Sequence, residues 1–208
     1  MHQRVYSFLL SFLLIFYVNL TNAQSPFVSI KLSNGIYFEL PRNWKVFDLN
    51  TKTTLEASVA VRLPIKINSS MPFAANLYNT RNQTIGIMNI RLYPDIKFKQ
   101  QDVSRLTFQD ILDFNNLLKK NITKGVNLAG GTVTNWYGTE KIKIRNKVYL
   151  LSKYRRRSAI NTNSFFKVSL LRLLDGRNSF TLTLSYEEKE EYLLKPIIVY
   201  IMKSIKTF

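Results

Sequence analysis

A chain of 208 residues with 30 Lys and Arg against 13 Asp and Glu carries a net charge of +17, has no cysteine and has one histidine, His2. Without cysteine there is no disulfide framework, no thiol nucleophile and no thiol for a lipid anchor. With no histidine after residue 2, Ser-His-Asp and Cys-His systems and nearly all zinc sites are excluded.

Met1 to Ala23 reads as a secretory signal peptide. His2 and Arg4 give a basic start, Val5 to Val18 an apolar run, and Thr21-Asn22-Ala23 a polar stretch ending in the small residue that cleavage after Ala23 requires. The run is shorter than the ~20 residues that cross a bilayer, so a cleaved leader is expected rather than a retained anchor. Cleavage removes His2 and lowers the charge to +16, because Arg4 leaves and no acid does. The expected location is the periplasm or the medium. Residues 24–208 are expected to form one domain of about 185 residues, large enough for a substantial core. No later segment reaches membrane-spanning length.

In the mature chain, Val28, Ile30 and Leu32 alternate with polar neighbours. Ser33-Asn34-Gly35 supplies a turn, Ile36, Phe38 and Leu40 alternate again, and Pro41 stops the second strand of this predicted hairpin. Leu55, Val59 and Leu63 recur at four-residue intervals and predict a short helix ended by Pro64. Phe73 to Tyr78 and Thr84 to Tyr93 predict a second hairpin. Thr107 followed by Asp110 forms a capping box before a helical stripe of Phe108, Ile111, Leu112, Leu118, Ile122 and Val126, with Gly130-Gly131 as the exit. Four strands are predicted next, at Thr132 to Ile144, Val148 to Arg157, Phe165 to Leu174 and Ser179 to Tyr186. Their short connections make an antiparallel meander. A last helix is expected from about Glu188 to Phe208, kinked or restarted at Pro196. Hairpins separated by helices argue for an α+β layered sandwich with a mainly antiparallel sheet over a doubly wound parallel sheet.

Little in this order carries chemistry. The cluster Glu187, Glu188, Glu190 and Glu191 falls where a helix begins and suits its unpaired amides. Ser164 and Lys167 have the Ser-x-x-Lys spacing, but on a strand that spacing points the two side chains to opposite faces. No phosphate-binding loop or dinucleotide fingerprint occurs, so no cofactor is expected. The meander is strongly basic. With Ser158 to Asn163 as the connection, Arg157 falls opposite Phe165 and Arg155 opposite Lys167, a candidate site for an anion or acidic partner flanked by Tyr154 and Phe166. A solvated or aggregation-resistant sheet face is the competing explanation of the same residues.

The residues at the two ends resemble a known pattern. Gly35-Ile36-Tyr37-Phe38-Glu39-Leu40-Pro41-Arg42-Asn43-Trp44 looks like the opening strand, proline and tryptophan of PsbP-like and DcrB-like domains. Phe180 to Tyr186 and the helix after it are similar to their closing strand and helix. The chain is also similar to exported proteins of Gram-negative bacteria. The resemblance implies a three-layer α/β/α sandwich, a non-enzymatic accessory or envelope role, and no catalytic residues to carry over. The expected function is therefore an exported, non-enzymatic binding module for an acidic protein, a lipid head group or an envelope polymer, with no nucleic-acid partner. The alternative is an enzyme using carboxylates or Lys and Tyr on an envelope glycan or lipid.

Overall fold

The computed structural model describes residues 25–48, 69–94, 96–159 and 161–208. The predicted leader and the helix predicted over 53–63 lie outside them. The first hairpin forms as read, from β1 (Phe27–Lys31) and β2 (Ile36–Pro41), with Ile30 opposite Phe38 and Gly35 in the left-handed region at φ 81°. Ile36, Phe38 and Leu40 all point inward and are buried. A two-residue strand is β3 (Lys45–Val46), and the second hairpin is β4 (Ser70–Tyr78) with β5 (Thr84–Leu92).

Two helices follow, α1 (Gln100–Arg105) and α2 (Phe108–Leu128). The capping box opens α2: Asp110 N donates to Thr107 Oγ1 at 3.2 Å, and Thr107 N donates to Asp110 Oδ2 at 2.7 Å. The meander is β6 (Thr132–Ile144), β7 (Lys147–Arg157), β8 (Phe165–Leu173) and β9 (Phe180–Glu187). A single 3₁₀ turn, Glu188–Glu190, then leads into α3 (Glu191–Ser204), and β10 (Lys206–Thr207) closes the order.

All strand pairs are antiparallel. The large sheet runs β3-β4-β5-β9-β8-β7-β6, and a small sheet runs β1-β2-β10. Alternation divides the large sheet into two unlike faces. Met88, Ile90, Tyr149, Leu151, Leu171, Leu182 and Leu184 join Leu194, Ile198 and Ile201 of α3 and Ile36, Phe38 and Leu40 of β2 in the main core. Tyr154, Phe166, Val168 and Leu170 form a smaller cluster on the other face, against Ile122 and Val126 of α2. The result is three layers: α1 and α2, the large sheet, then α3 with the small sheet.

Several details differ from expectation. The predicted stripe on α2 includes Phe108 and Leu112, yet Phe108 is 83% exposed and Leu112 is exposed too; Phe114 and Asn115 face the sheet instead. Asn115 Oδ1 accepts from Trp136 Nε1 at 2.8 Å, and the Arg172 guanidinium lies 5.9 Å from the Phe114 ring centroid. The rest of the predicted stripe holds: Ile111, Leu118, Ile122 and Val126 are half-buried, the last two against the sheet cluster. α3 neither restarts nor ends at Pro196, which lies inside a continuous helix that forgoes the bond to the carbonyl four residues back. It stops at Ser204 because Lys206 and Thr207 pair with Tyr37 and Ile36.

Trp44 shows why a proline three residues earlier matters. Its backbone N donates to Pro41 O at 3.1 Å, which turns the chain so that the indole enters the core against Gly86. A Cβ at Gly86 would lie 3.1 Å from both Trp44 Cη2 and Leu77 Cβ. Gly86→Ala is therefore expected to overpack the core by about 1–3 kcal/mol, seen as a lowered midpoint in thermal or denaturant unfolding. An unchanged midpoint would mean that Trp44 is not seated on this glycine.

Candidate functional site

β7 and β8 place Arg155 opposite Lys167 and Arg157 opposite Phe165, the register the connection length predicts. Two like charges facing each other across strands repel. The turn after β9 supplies the compensation. Arg155 donates from Nε and Nη2 to Glu188 Oε2 at 3.0 and 2.7 Å, while Lys167 Nζ lies 2.5 Å from Glu191 Oε2 and 3.7 Å from Glu188 Oε1. Glu191 Oε1 also meets Lys195 Nζ at 3.2 Å and the Tyr186 hydroxyl at 3.4 Å. The Arg155 guanidinium sits 3.8 Å over the Phe165 ring centroid. The acidic cluster and the basic strands, separate features in the sequence, are each other's partners.

Each pair moves its members away from neutrality. The hydrogen bond from Arg155 holds the Glu188 carboxyl below its ordinary value, and that from Lys167 does the same for Glu191. The reciprocal bonds raise Arg155 and Lys167. Burial, then the nearby Glu191 charge, pushes the Tyr186 hydroxyl far up. The four charged side chains remain 24–33% exposed, so solvent and salt weaken the pairs.

Arg157 is exposed and stands outside this network. The expected flanking by Tyr154 and Phe166 is corrected: alternation turns both to the opposite face, where Tyr154 stacks on Trp136 at 5.6 Å and Phe166 lies under Arg156 at 5.1 Å. Phe165 and Tyr186 flank the pair instead. The other basic residues of the meander also divide. Lys141 Nζ donates to Leu106 O at 2.7 Å beneath the start of α2, Lys147 pairs with Asp175 at 2.5 Å, and Lys153 pairs with Glu140 at 2.8 Å.

Beside the network, a groove of about 480 Å³ runs between α3 and the β6–β7 hairpin, floored by Ile142, Leu151, Ile198 and Met202 with Lys153 and Lys195 among its polar residues. A second cleft, of about 500 Å³, lies on the opposite face around Arg156, Ser164 and Glu187. Glu187 accepts from Ser164 Oγ at 2.8 Å and meets Lys189 at 3.1 Å, while burial lowers the Arg156 guanidinium. Ser164 and Lys167 indeed serve opposite faces. Among the described residues, no three His, Cys, Asp or Glu gather where a metal could be held.

This layered α+β architecture is the PsbP-like fold. The solution structure of cyanobacterial PsbP from Synechocystis is similar to it with a TM-score of 0.57 at 13% identity, over 90% of this chain and 95% of that one. The crystal structure of the Ran-binding protein Mog1p of Saccharomyces cerevisiae matches with a TM-score of 0.44 at 9% identity, over 87% and 95% of the two chains. A Bacteroides thetaiotaomicron protein matches with a TM-score of 0.41 at 11% identity, over 84% of this chain and 45% of that one. No protein-family model and no curated protein matches the sequence.

The depressed values of Glu188 and Glu191 make stability depend on pH with a definite sign. Their contribution is complete above the ordinary glutamate pKa of about 4.3 and is lost as pH falls through the lowered folded values. Glu188→Gln combined with Glu191→Gln is expected to lower the unfolding midpoint at neutral pH and to flatten its acid dependence, so that the variant and the parent converge in acid. Parallel unfolding curves over the whole acid range would show that the pairs contribute nothing.

Proposed function

We propose that the protein is an exported, non-enzymatic accessory protein of the cell envelope that binds an acidic partner. The observation that supports the non-enzymatic part of this reading is the pairing of Arg155 and Lys167 with Glu188 and Glu191, with which the shifts around them agree. Catalytic acids and bases are tuned toward the working pH, so that a glutamate rises or a lysine falls. Here the carboxylates go down and the cations and Tyr186 go up, as in a network built to hold elements together. The sequence after residue 23 offers neither histidine nor cysteine as a substitute.

Export rests on the pattern of Met1 to Ala23, and the acidic character of the partner on the +17 charge. Arg157 is the member of the predicted patch left outside the internal network for such a partner. Among the described residues, no helix is long and apolar enough to cross a membrane.

The test uses the full chain expressed with its own leader. The expected product is an envelope-fraction protein whose N-terminal sequence begins at Gln24, and which captures a partner from envelope extract at low salt and releases it at high salt. Cytosolic protein that still carries Met1 would sink export. Capture insensitive to salt, or no capture, would sink the acidic partner.

A further inference from the structure

A helix that is apolar all round normally lies in an interior. α3 is apolar on two sides and lies on the surface. Leu194, Ile198, Ile201 and Met202 are buried, while Tyr192, Leu193, Val199 and Tyr200 on the outer side are 89%, 60%, 36% and 41% exposed. Tyr192 and Tyr200 lie eight residues apart, about 12 Å along the axis, so these side chains form a continuous patch.

Lysines are prominent among the charges bordering it. Lys195 and Lys203 lie on α3 and Lys189 on the turn before it, and the side chains of Lys189 and Lys195 are 58% and 64% exposed. Of the nearby carboxylates, Glu191 is shared by Lys167 and the patch's own Lys195, and Glu39 accepts from the hydroxyls of Tyr37 and the patch's own Tyr200, which leaves Lys203 as the cation on this face without a carboxylate among these contacts. Glu190 also lies on the turn.

The chain also enters the fold at this face. The Phe27 ring lies 4.3 Å from the Tyr200 ring, and Arg42 Nε donates to Ser25 O at 2.8 Å, which fixes the first described residues beside α3.

We propose that this outer face is a docking surface for anionic phospholipid head groups, with Tyr192, Leu193, Val199 and Tyr200 entering the head-group layer and Lys195 and Lys203 meeting phosphates. The proposal rests on the export reading and specifies its acidic partner. Tyrosine and leucine beside lysine match the composition of helices lying in a membrane interface, whereas lysine is depleted from the cores of protein interfaces.

The experiment is sedimentation of the processed protein with vesicles of phosphatidylcholine alone, and of phosphatidylcholine and phosphatidylglycerol in equal parts. Binding is expected to the anionic vesicles only. Tyr192→Ala with Leu193→Ala should weaken it about tenfold through lost apolar burial. Lys195→Gln with Lys203→Gln should weaken it about thirtyfold. Lys119→Gln with Lys124→Gln on α2 removes the same charge elsewhere and should change binding less than about twofold. Equal losses from the α2 and α3 lysine variants, or no loss from the alanine variant, would overturn the docking surface in favour of undirected charge. No vesicle binding by correctly processed protein would also overturn it while leaving export standing. So would α3-dependent capture of an acidic protein without lipid. N-terminal sequencing of the same preparation reports on export separately.

Discussion

The two faces of the central strands are unequal, and the rest of the molecule is arranged around that inequality. On one face of β5, β9, β8 and β7 the alternating residues are large and apolar, with Met88, Ile90, Leu171, Leu173, Phe180, Leu182 and Leu184 at or near zero exposure. On the other face the same strands mix Leu150, Tyr154, Phe166, Val168 and Leu170 with Ser152, Thr181, Ser185 and Glu187. A sheet with one such face must cover it. That need brings α3 and the β1-β2-β10 sheet to one side as a single lid, joined through Glu39 N donating to Ser204 Oγ at 2.9 Å. The mixed face demands less, and α2 settles on it through a smaller cluster and the bond between Trp136 and Asn115.

The lid needs a fixed starting point, and the Arg155, Lys167, Glu188 and Glu191 network provides one. Partly exposed ion pairs add little stability in water. Their position matters more than their strength, because β8 and the turn after β9 meet where the apolar rows run out. Without carboxylates there, Arg155 and Lys167 would repel across the strands; without cations, Glu188 and Glu191 would crowd one helix start. The helix dipole favours the acids at that end as well. With the start of α3 set in this way, Leu194 and Ile198 face inward and Tyr192 and Leu193 are left outward.

Much of this was legible from side-chain periodicity. Both hairpins, the four-stranded meander and the Thr107 cap are local patterns, and the Arg155–Lys167 register follows from the length of the connection between two strands. The partners of that pair were not legible, since Glu188 and Glu191 lie 33 and 24 residues away and are brought there by the crossing of β9 into α3. The Tyr154 and Phe166 error has a simpler cause: neighbours in sequence on a strand belong to opposite faces. α1 offers one buried residue, Val103, and β3 and β10 have two residues each, too few to show a period. On α2, periodicity placed Ile122 and Val126 on the docking side but also suggested Phe108 and Leu112, which are exposed, and it gave no sign that Asn115 would meet Trp136.

Charge and apolar surface act at different ranges on this molecule. The excess of cations is spread over several elements, and internal pairing already engages Lys147, Lys153, Arg155, Lys167, Lys189 and Lys195. Spread charge raises the rate of encounter with any anionic surface but selects no orientation, and salt screens it beyond about 8 to 10 Å. Apolar area acts only in contact and therefore orients. α2 presents Lys119, Lys120 and Lys124 with Asn116 and Asn127 and with the exposed Leu112, Leu117 and Leu128 dispersed along the helix, whereas α3 gathers Tyr192, Leu193, Val199 and Tyr200 into one patch beside Lys195 and Lys203. On the first surface, charge and apolar area are spread apart. At the second, charge and contact coincide, so the same network that seats α3 on the core also fixes which side of the molecule can hold an anionic surface once it arrives.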